Sequence, residues 1–326
     1  MEHSKKEFLV SGIVIFLLIL FPLLAGTEHS LNLFIVLFIT MILAQSWNLL
    51  GGYTGQVSLG NAAFFGAGAL SFHFLAWRGG LPFYLALPAG GVAAVILASF
   101  IGIPALRLRG AYFAMGTLAL AEALRITAGN VFPLTVYIPT AHIVTYKLIS
   151  RYYLALSVAV LTQGVAYCMI KSKIGLAMMA IRDDDEAAHA SGVDLFKYKF
   201  MALVFSSFFS GLAGGAFAYY QISILPTYLF SPQWTFEPLV AASVGGLGTL
   251  LGPVIGSAFL IILMELFALT LGKGYLIIFG ALFVFVVIFF PGGLTEALKR
   301  SRKYLPARDR AVEKIGISAN PHSTDS

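Results

Sequence analysis

Charge is what this sequence has least of. Of its 326 residues only 11% are Asp, Glu, Lys or Arg, against about 25% in a soluble domain, while 59% are hydrophobic. That scarcity excludes an ordinary water-soluble fold. Cysteine is nearly missing too: Cys168, near the end of an apolar run, is the single one, which rules out an intramolecular disulfide or a cysteine-based metal cluster. His73 has no second ligand at i+3 or i+4, so it reads as a packed or interfacial histidine and no metal is expected. No Gly-x-x-x-x-Gly-Lys-[Ser/Thr] phosphate loop occurs, so the chain has no ATPase site of its own to assign. No nucleophile and base arrangement is readable, which leaves a membrane-embedded enzyme without a catalytic set. Basic and aromatic residues do not interleave as a surface for nucleic acid would require.

What the chain does have is apolar length. Many runs approach the roughly 20 residues that cross a hydrocarbon core, and they are continuous rather than ten-residue alternations, so they read as helices and not barrel strands. The expectation is an all-α polytopic membrane protein with about 8–10 transmembrane helices. Spans are placed at Phe8 to Ala25, Leu31 to Leu50, a helix ending near Trp77, Phe83 to Leu106, Ala111 to Gly129, Tyr152 to Ile170, Phe200 to Ile222, Val254 to Leu271 and Tyr275 to Phe290. The first exceeds the roughly 7 to 15 apolar residues of a signal-peptide core and reads as a retained helix. Asn130 to Ser150, with Pro133 and Pro139, reads as a loop. Pro226 to Pro238 is polar and aromatic, with Tyr228 and Trp234 suited to a membrane interface. Residues 1–293 are expected to form the membrane domain, with 171–199 as its cytoplasmic loop, and 294–326 a basic, then polar, poorly ordered tail.

The net charge of +6 is a topology signal. Lys5 and Lys6, Arg107 and Arg109, the basic residues between Lys171 and Lys199, and Lys299, Arg300, Arg302 and Lys303 all fall in the cytoplasm if six spans precede residue 171. Both termini are then cytoplasmic, with Arg78 a single exception outside.

Residues 171–199 are the longest interior stretch that a bilayer would resist. Asp183 is placed to cap a short helix with Glu186 three positions on, Ala187 and Ala188 favour it, and Gly192 is a natural stop. A helix of about two turns is marginal alone, so flanking helices or a partner protein must hold it.

Two stretches are rich in glycine. The first, Gly51 to Gly68, carries Gly52, Thr54, Gln56, Ser58 and Asn61, side-chain donors and acceptors beside small residues; it is a candidate path or gate, with ordinary interhelical hydrogen bonding as the alternative. The second carries Gly245, Gly248, Gly252 and Gly256. The four-residue spacing of Gly248, Gly252 and Gly256 suits close helix packing, or a discontinuous helix broken at Pro253 and lining a substrate path. The stretches lie in different halves of the chain, the placement an inverted repeat would give. Glu122 and Arg125 share one helix face and partly neutralise each other; Glu237 and Glu265 have no assigned role.

Three motifs together resemble one family. Gly-Gly-Tyr-Thr-Gly-Gln-Val-Ser-Leu-Gly at Gly51 to Gly60, Arg-Leu-Arg-Gly-Ala-Tyr-Phe-Ala-Met-Gly-Thr-Leu-Ala at Arg107 to Ala119, and Gly-Gly-Leu-Gly-Thr-Leu-Leu-Gly-Pro at Gly245 to Pro253 are similar to the M-type (LivM) permease subunits of branched-chain amino acid ABC importers. Glu186-Ala187-Ala188 followed by Gly192 looks like the coupling motif by which such permeases dock on an ATPase, without its usual Ile-x-Leu-Pro ending. The resemblance implies a second, homologous permease subunit, two ABC ATPase subunits that hold ATP and Mg, an extracytoplasmic substrate-binding protein, and residence in the bacterial inner membrane. It also implies import of leucine, isoleucine and valine, with urea, short amides or sugars as the alternative. A stand-alone secondary carrier would instead need an ionisable relay within the membrane.

Overall fold

The long apolar runs leave no water for backbone groups, so those groups must bond within each segment, and the chain answers with helices. The computed structural model describes residues 2–24, 26–108, 110–139 and 146–271. Helix α1 is Glu2–Leu24 and α2 is Glu28–Trp47, extended by a wide π-type turn Asn48–Gly52. Then follow α3 (Asn61–His73, extended by a second π-type turn Phe74–Arg78), α4 (Phe83–Ala105) and α5 (Ala111–Val131). Helix α6 is Leu148–Lys171, α7 Lys173–Asp183, α8 Asp185–Ala190 and α9 Leu195–Tyr220. The last described helices are α10 (Pro226–Leu229), α11 (Gln233–Gly245) and α12 (Gly252–Leu271). Two short strands, β1 (Val136–Tyr137) and β2 (Ser223–Ile224), pair antiparallel and give the loop after α5 some structure. The span placed at Tyr275 to Phe290, the tail and Arg109 lie outside the described residues.

Among the described residues four helices are long and apolar enough to cross a membrane: α2 with its π-type turn, α4, α6 and α9. The longest, α9, has 26 residues, about 39 Å at the helical rise. It is also the centre of the fold. Small residues let its neighbours approach: a β-carbon at Gly68 of α3 would run into the Gly211 carbonyl of α9, and one at Gly214 would run into the Phe65 carbonyl. Such contacts replace the hydrophobic driving force that lipid removes. Helix α2 is fixed to α9 by hydroxyls, with Ser46 Oγ donating to Ser206 O at 2.6 Å and sharing a bond with Ser210 Oγ at 2.6 Å.

Several boundaries differ from the sequence reading. Lys173–Asp183 is a helix, not loop: Ser172 caps it by accepting from Ile174 N at 3.1 Å, and Gly175, Ala177, Met178 and Ile181 form its buried face. Asp183 therefore ends α7 instead of capping α8. The cap is Asp184, whose Oδ1 accepts from Glu186 N at 2.8 Å and Ala187 N at 3.0 Å. Helix α9 starts at Leu195, five residues before the expected Phe200, because Asp194 caps it through Lys197 N at 3.0 Å. Pro253 is the second residue of α12 and starts that helix, since a first-turn proline forfeits no hydrogen bond. Gly248 belongs to the turn before α12 and has φ +68°, so it is not on one helix face with Gly252 and Gly256. Trp234 is buried, stacked on Phe65 at 4.2 Å between centroids, and does not stand at an interface.

Candidate functional site

The central segment and the two glycine-rich stretches meet at one end of the fold. Helix α2 runs down to the π-type turn, and its last carbonyls have no partner within the helix. Thr54 Oγ1 takes Leu50 O at 2.6 Å, and Gln56 N takes the same carbonyl at 3.3 Å. Gly52 O is taken from outside, by Arg182 Nη1 at 2.9 Å. Arg182 is in the last turn of α7, two residues before the cap of α8. A cation at a helix C-terminus also meets the negative end of the helix dipole. Tyr53, buried beside this contact, has its phenol pushed above the usual tyrosine range by burial, with the positive charge of Arg182 pulling the other way.

The second stretch is bound to the same turn. Asn48 is fully buried; its Oδ1 accepts from Gly248 N at 2.8 Å and its Nδ2 donates to Thr249 O at 2.9 Å. From α6, Gln163 Nε2 reaches Leu250 O at 2.6 Å. The turn after α11 is thus held by α2 and α6, with Arg182 pressed against Gly248, where any β-carbon would strike its Nη1. Beyond the turn, α11 and α12 cross at contact distance: a β-carbon on Gly245 would overlap the Gly252 carbonyl, and one on Gly256 the Ala241 carbonyl. For Gly252 and Gly256 the spacing therefore serves helix packing.

After Gly55 the chain turns back. Trp47 Nε1 donates to Ser58 O at 2.8 Å, Leu59 N donates to Thr117 Oγ1 of α5 at 3.0 Å, and Ala62 N donates to Thr235 Oγ1 of α11 at 2.9 Å. The start of α3 is thereby placed beside the start of α11. Asn61, the first residue of α3, is fully buried and neither of its amide atoms has a hydrogen-bond partner. Of the sequence-predicted residues, Gly52 and Gly248 touch, Gly245 and Gly252 touch, and Thr54 and Ser58 shape the backbone between α2 and α3. Gln56 enters through its backbone alone among the described bonds.

The central segment projects from this assembly. In α8, Glu186 and Ala187 are exposed, Ala188 is buried, and Gly192 ends the turn at φ +84° with nothing within 4 Å of a β-carbon built there. Asp185 Oδ2 accepts from Lys199 Nζ of α9 at 2.6 Å, and the lysine side chain is 10% exposed. Other acidic residues find partners nearby. Arg125 Nε and Nη2 donate to Glu122 Oε2 and Oε1 at 2.8 and 2.5 Å, Gln233 Nε2 donates to Glu237 Oε1, and Glu265 meets His29 at 3.2 Å. His73 is buried, and no cluster of metal-ligating side chains exists among the described residues.

Sequence reasoning passed over Asn48, Gln163 and Arg182. Asn48 and Gln163 were visible only as polar residues inside apolar spans, and Arg182 only as one more basic residue.

Comparison with known proteins gives this arrangement a context. A family model described as the permease component of the branched-chain amino acid transport system matches residues 30–287. The high-affinity branched-chain amino acid transport system permease protein LivM of Escherichia coli K12 is 27% identical over 342 residues, covering 95% of this chain and 79% of the relative. Its Salmonella typhimurium LT2 counterpart is 26% identical, covering 89% and 75%. A probable LivM of Methanocaldococcus jannaschii is 25% identical over about half of each chain. No solved structure matches.

Proposed function

The chain belongs to the family of permease components of branched-chain amino acid transport systems, and from that premise we propose that it is the translocating subunit of an importer driven by ATPases on separate chains. Its cargo on this reading is leucine, isoleucine and valine, delivered by an extracytoplasmic binding protein, and a second homologous permease completes the pore. The central segment and both termini face the bacterial cytoplasm, in accord with the placement of positive charge. ATP and Mg belong to the partner subunits.

The observation that carries this reading is α8. It is a six-residue helix, capped by Asp184, ended at Gly192, largely exposed, and yet tied at its base to α9 through Asp185 and, just before it, to α2 through Arg182. A helix this short gains no stability of its own. Its ties to both α9 and α2 suit a part that is pushed from outside. ATP-driven closure of the ATPases would favour one arrangement of the membrane helices, and α8 would carry the bias. Among the described residues the charges within the membrane helices are few: Glu122 pairs with Arg125, Glu265 meets His29, and buried Arg151 donates to the Tyr219 and Lys147 carbonyls, which is poor equipment for an ion-coupled carrier.

Purification from the native membrane in mild detergent, with mass spectrometry of what accompanies the chain and uptake of labelled leucine by the reconstituted assembly, tests the proposal. Two ATPases, a second permease and ATP-dependent leucine uptake are expected. A chain that arrives alone, or an assembly that moves urea or short amides and no leucine, would overturn it.

A further inference from the structure

Two observations separate Arg182 from the other basic residues of the central segment. The first is where its guanidinium ends. It donates to Gly52 O, in the π-type turn at the end of α2, and lies against Gly248, in the turn between α11 and α12. A β-carbon on Gly55 would stand 3.5 Å from Arg182 Cγ, so the stem passes over the segment where the first glycine-rich stretch turns back. Gly55 and Gly248 both have positive φ, +71° and +68°. At Gly248 a side chain would be strained by the backbone and would also collide with the guanidinium. The chain thus leaves room for this one arginine at Gly248, while at Gly55 a β-carbon would only touch its stem.

The second observation is where Arg182 begins. It lies two residues before Asp184, the cap of α8, and three before Asp185, which pairs with Lys199 of α9. A displacement of α8 has two outlets into the membrane helices: the ion pair leads to α9, and the arginine leads to α2 and the α11–α12 turn. Asn48 already locks those last two elements together through Gly248 and Thr249. What Arg182 moves, both stretches follow. Arg182 is an exposed residue whose bond to Gly52 O is part-buried, and a single hydrogen bond of this kind is weak enough to be made and broken within a cycle.

We propose that Arg182 is a positioning residue for transport, the link through which movement of α8 opens and closes the permease where its two glycine-rich stretches meet. This rests on the importer reading for its driving force, though not for the contact itself.

The test uses the full reconstituted complex and two readouts. The first is leucine uptake per ATP hydrolysed. Arg182→Ala is expected to lower that ratio about tenfold, the consequence of losing one charged hydrogen bond where it matters, while hydrolysis by the partner ATPases continues. Arg182→Lys, which keeps the charge and one donor, should restore much of it. Gly248→Ala should reproduce the loss with Arg182 in place. The second readout is amide hydrogen exchange across residues 48–56 and 246–251 in the detergent-solubilised chain. Arg182→Ala should quicken both segments together, by several-fold, and Arg182→Lys should not. An uptake-to-hydrolysis ratio within twofold of wild type for Arg182→Ala, or exchange unchanged in either segment, would overturn the proposal. If the wild type captures no ATPase, the importer reading fails separately, and the exchange result still decides whether Arg182 holds the two stretches.

Discussion

Asn48 and Gly248 are 200 residues apart in sequence, and the amide oxygen of one accepts from the backbone N–H of the other at 2.8 Å. Because Asn48 Nδ2 also donates to Thr249 O, the side chain satisfies a donor and an acceptor of a turn that has no ladder of its own. Replacing Asn48 with Leu leaves both groups unpaired. The loss is expected to be about 1–2 kcal/mol, toward the low end of the range for stranded polar groups because the turn is only half-buried. Asn48→Asp keeps the acceptor but sets a carboxylate against the Thr249 carbonyl, so it should be the worse of the two. Thermal unfolding in detergent of both variants beside the wild type checks the order; an Asn48→Asp protein as stable as wild type would contradict it.

The crossing of α11 and α12 gives a second expectation. Gly245→Ala and Gly256→Ala each place a methyl group onto a backbone carbonyl that cannot move without shifting its helix. Overpacking of this kind costs about 1–3 kcal/mol. Gly164 of α6, with nothing within 4 Å of a built β-carbon, is the control. Gly164→Ala should be neutral or slightly stabilising, as expected when a helical glycine gains a methyl group in open space. A melt in which all three variants coincide would remove the case for close packing here.

The triple aspartate at the start of α8 makes a sharper test. Asp183 and Asp184 are adjacent, yet only Asp184 accepts from the Glu186 and Ala187 amides. Asp184→Ala should loosen α8 by about 1 kcal/mol, the usual worth of a cap, and quicken exchange of those two amides. Asp183→Ala should leave them unchanged. Equal effects would mean that the cap is shared.

Much of this fold was legible from hydrophobic length alone, and what escaped did so for physical reasons. Spans α4 and α5 are found within about two residues of their expected ends, because a continuous apolar run has one stable arrangement in lipid. Helix α7 was hidden because Lys173, Arg182 and Asp183 make it look solvated, whereas its buried face is supplied by small and apolar residues at helical spacing. Three consecutive aspartates are equivalent as letters, and only the direction of the following amides chooses Asp184. A four-residue spacing of glycines cannot separate a helix from a turn, since the positive φ of Gly248 has no sequence signature beyond glycine itself. The links that matter most, Asn48 to Gly248 and Arg182 to Gly52, join positions 200 and 130 residues apart. No local pattern encodes such a pairing.

Gly192 is required for its conformation and not for its size. Its φ of +84° suits glycine, tolerates asparagine, and strains most other residues, yet the space around it is open. Gly192→Asn should therefore retain uptake, whereas Gly192→Asp, with a similar shape but an added charge beside Asp194, should lose binding to the ATPases at normal expression. Normal capture of ATPases by Gly192→Asp would show that the segment docks without regard to this turn.

The ion pair of Asp185 with Lys199 can be separated from its surroundings by a double-mutant cycle. The ammonium is the buried partner, with 10% of the lysine side chain exposed against 41% for the aspartate. The two single variants are therefore not equivalent. Asp185→Asn leaves a cation in a pocket that cannot hydrate it fully and should cost about 1–2 kcal/mol, less than a fully buried pair because water reaches the carboxylate side. Lys199→Met removes the cation, keeps most of the stem's apolar contact and should cost less. If the pair acts as a unit, adding Lys199→Met to Asp185→Asn should recover stability, since the stranded charge is then gone. Thermal unfolding of the four proteins gives the coupling energy directly. Additive single effects would mean that the ion pair contributes nothing to holding α8 against α9 or to transmitting its movement.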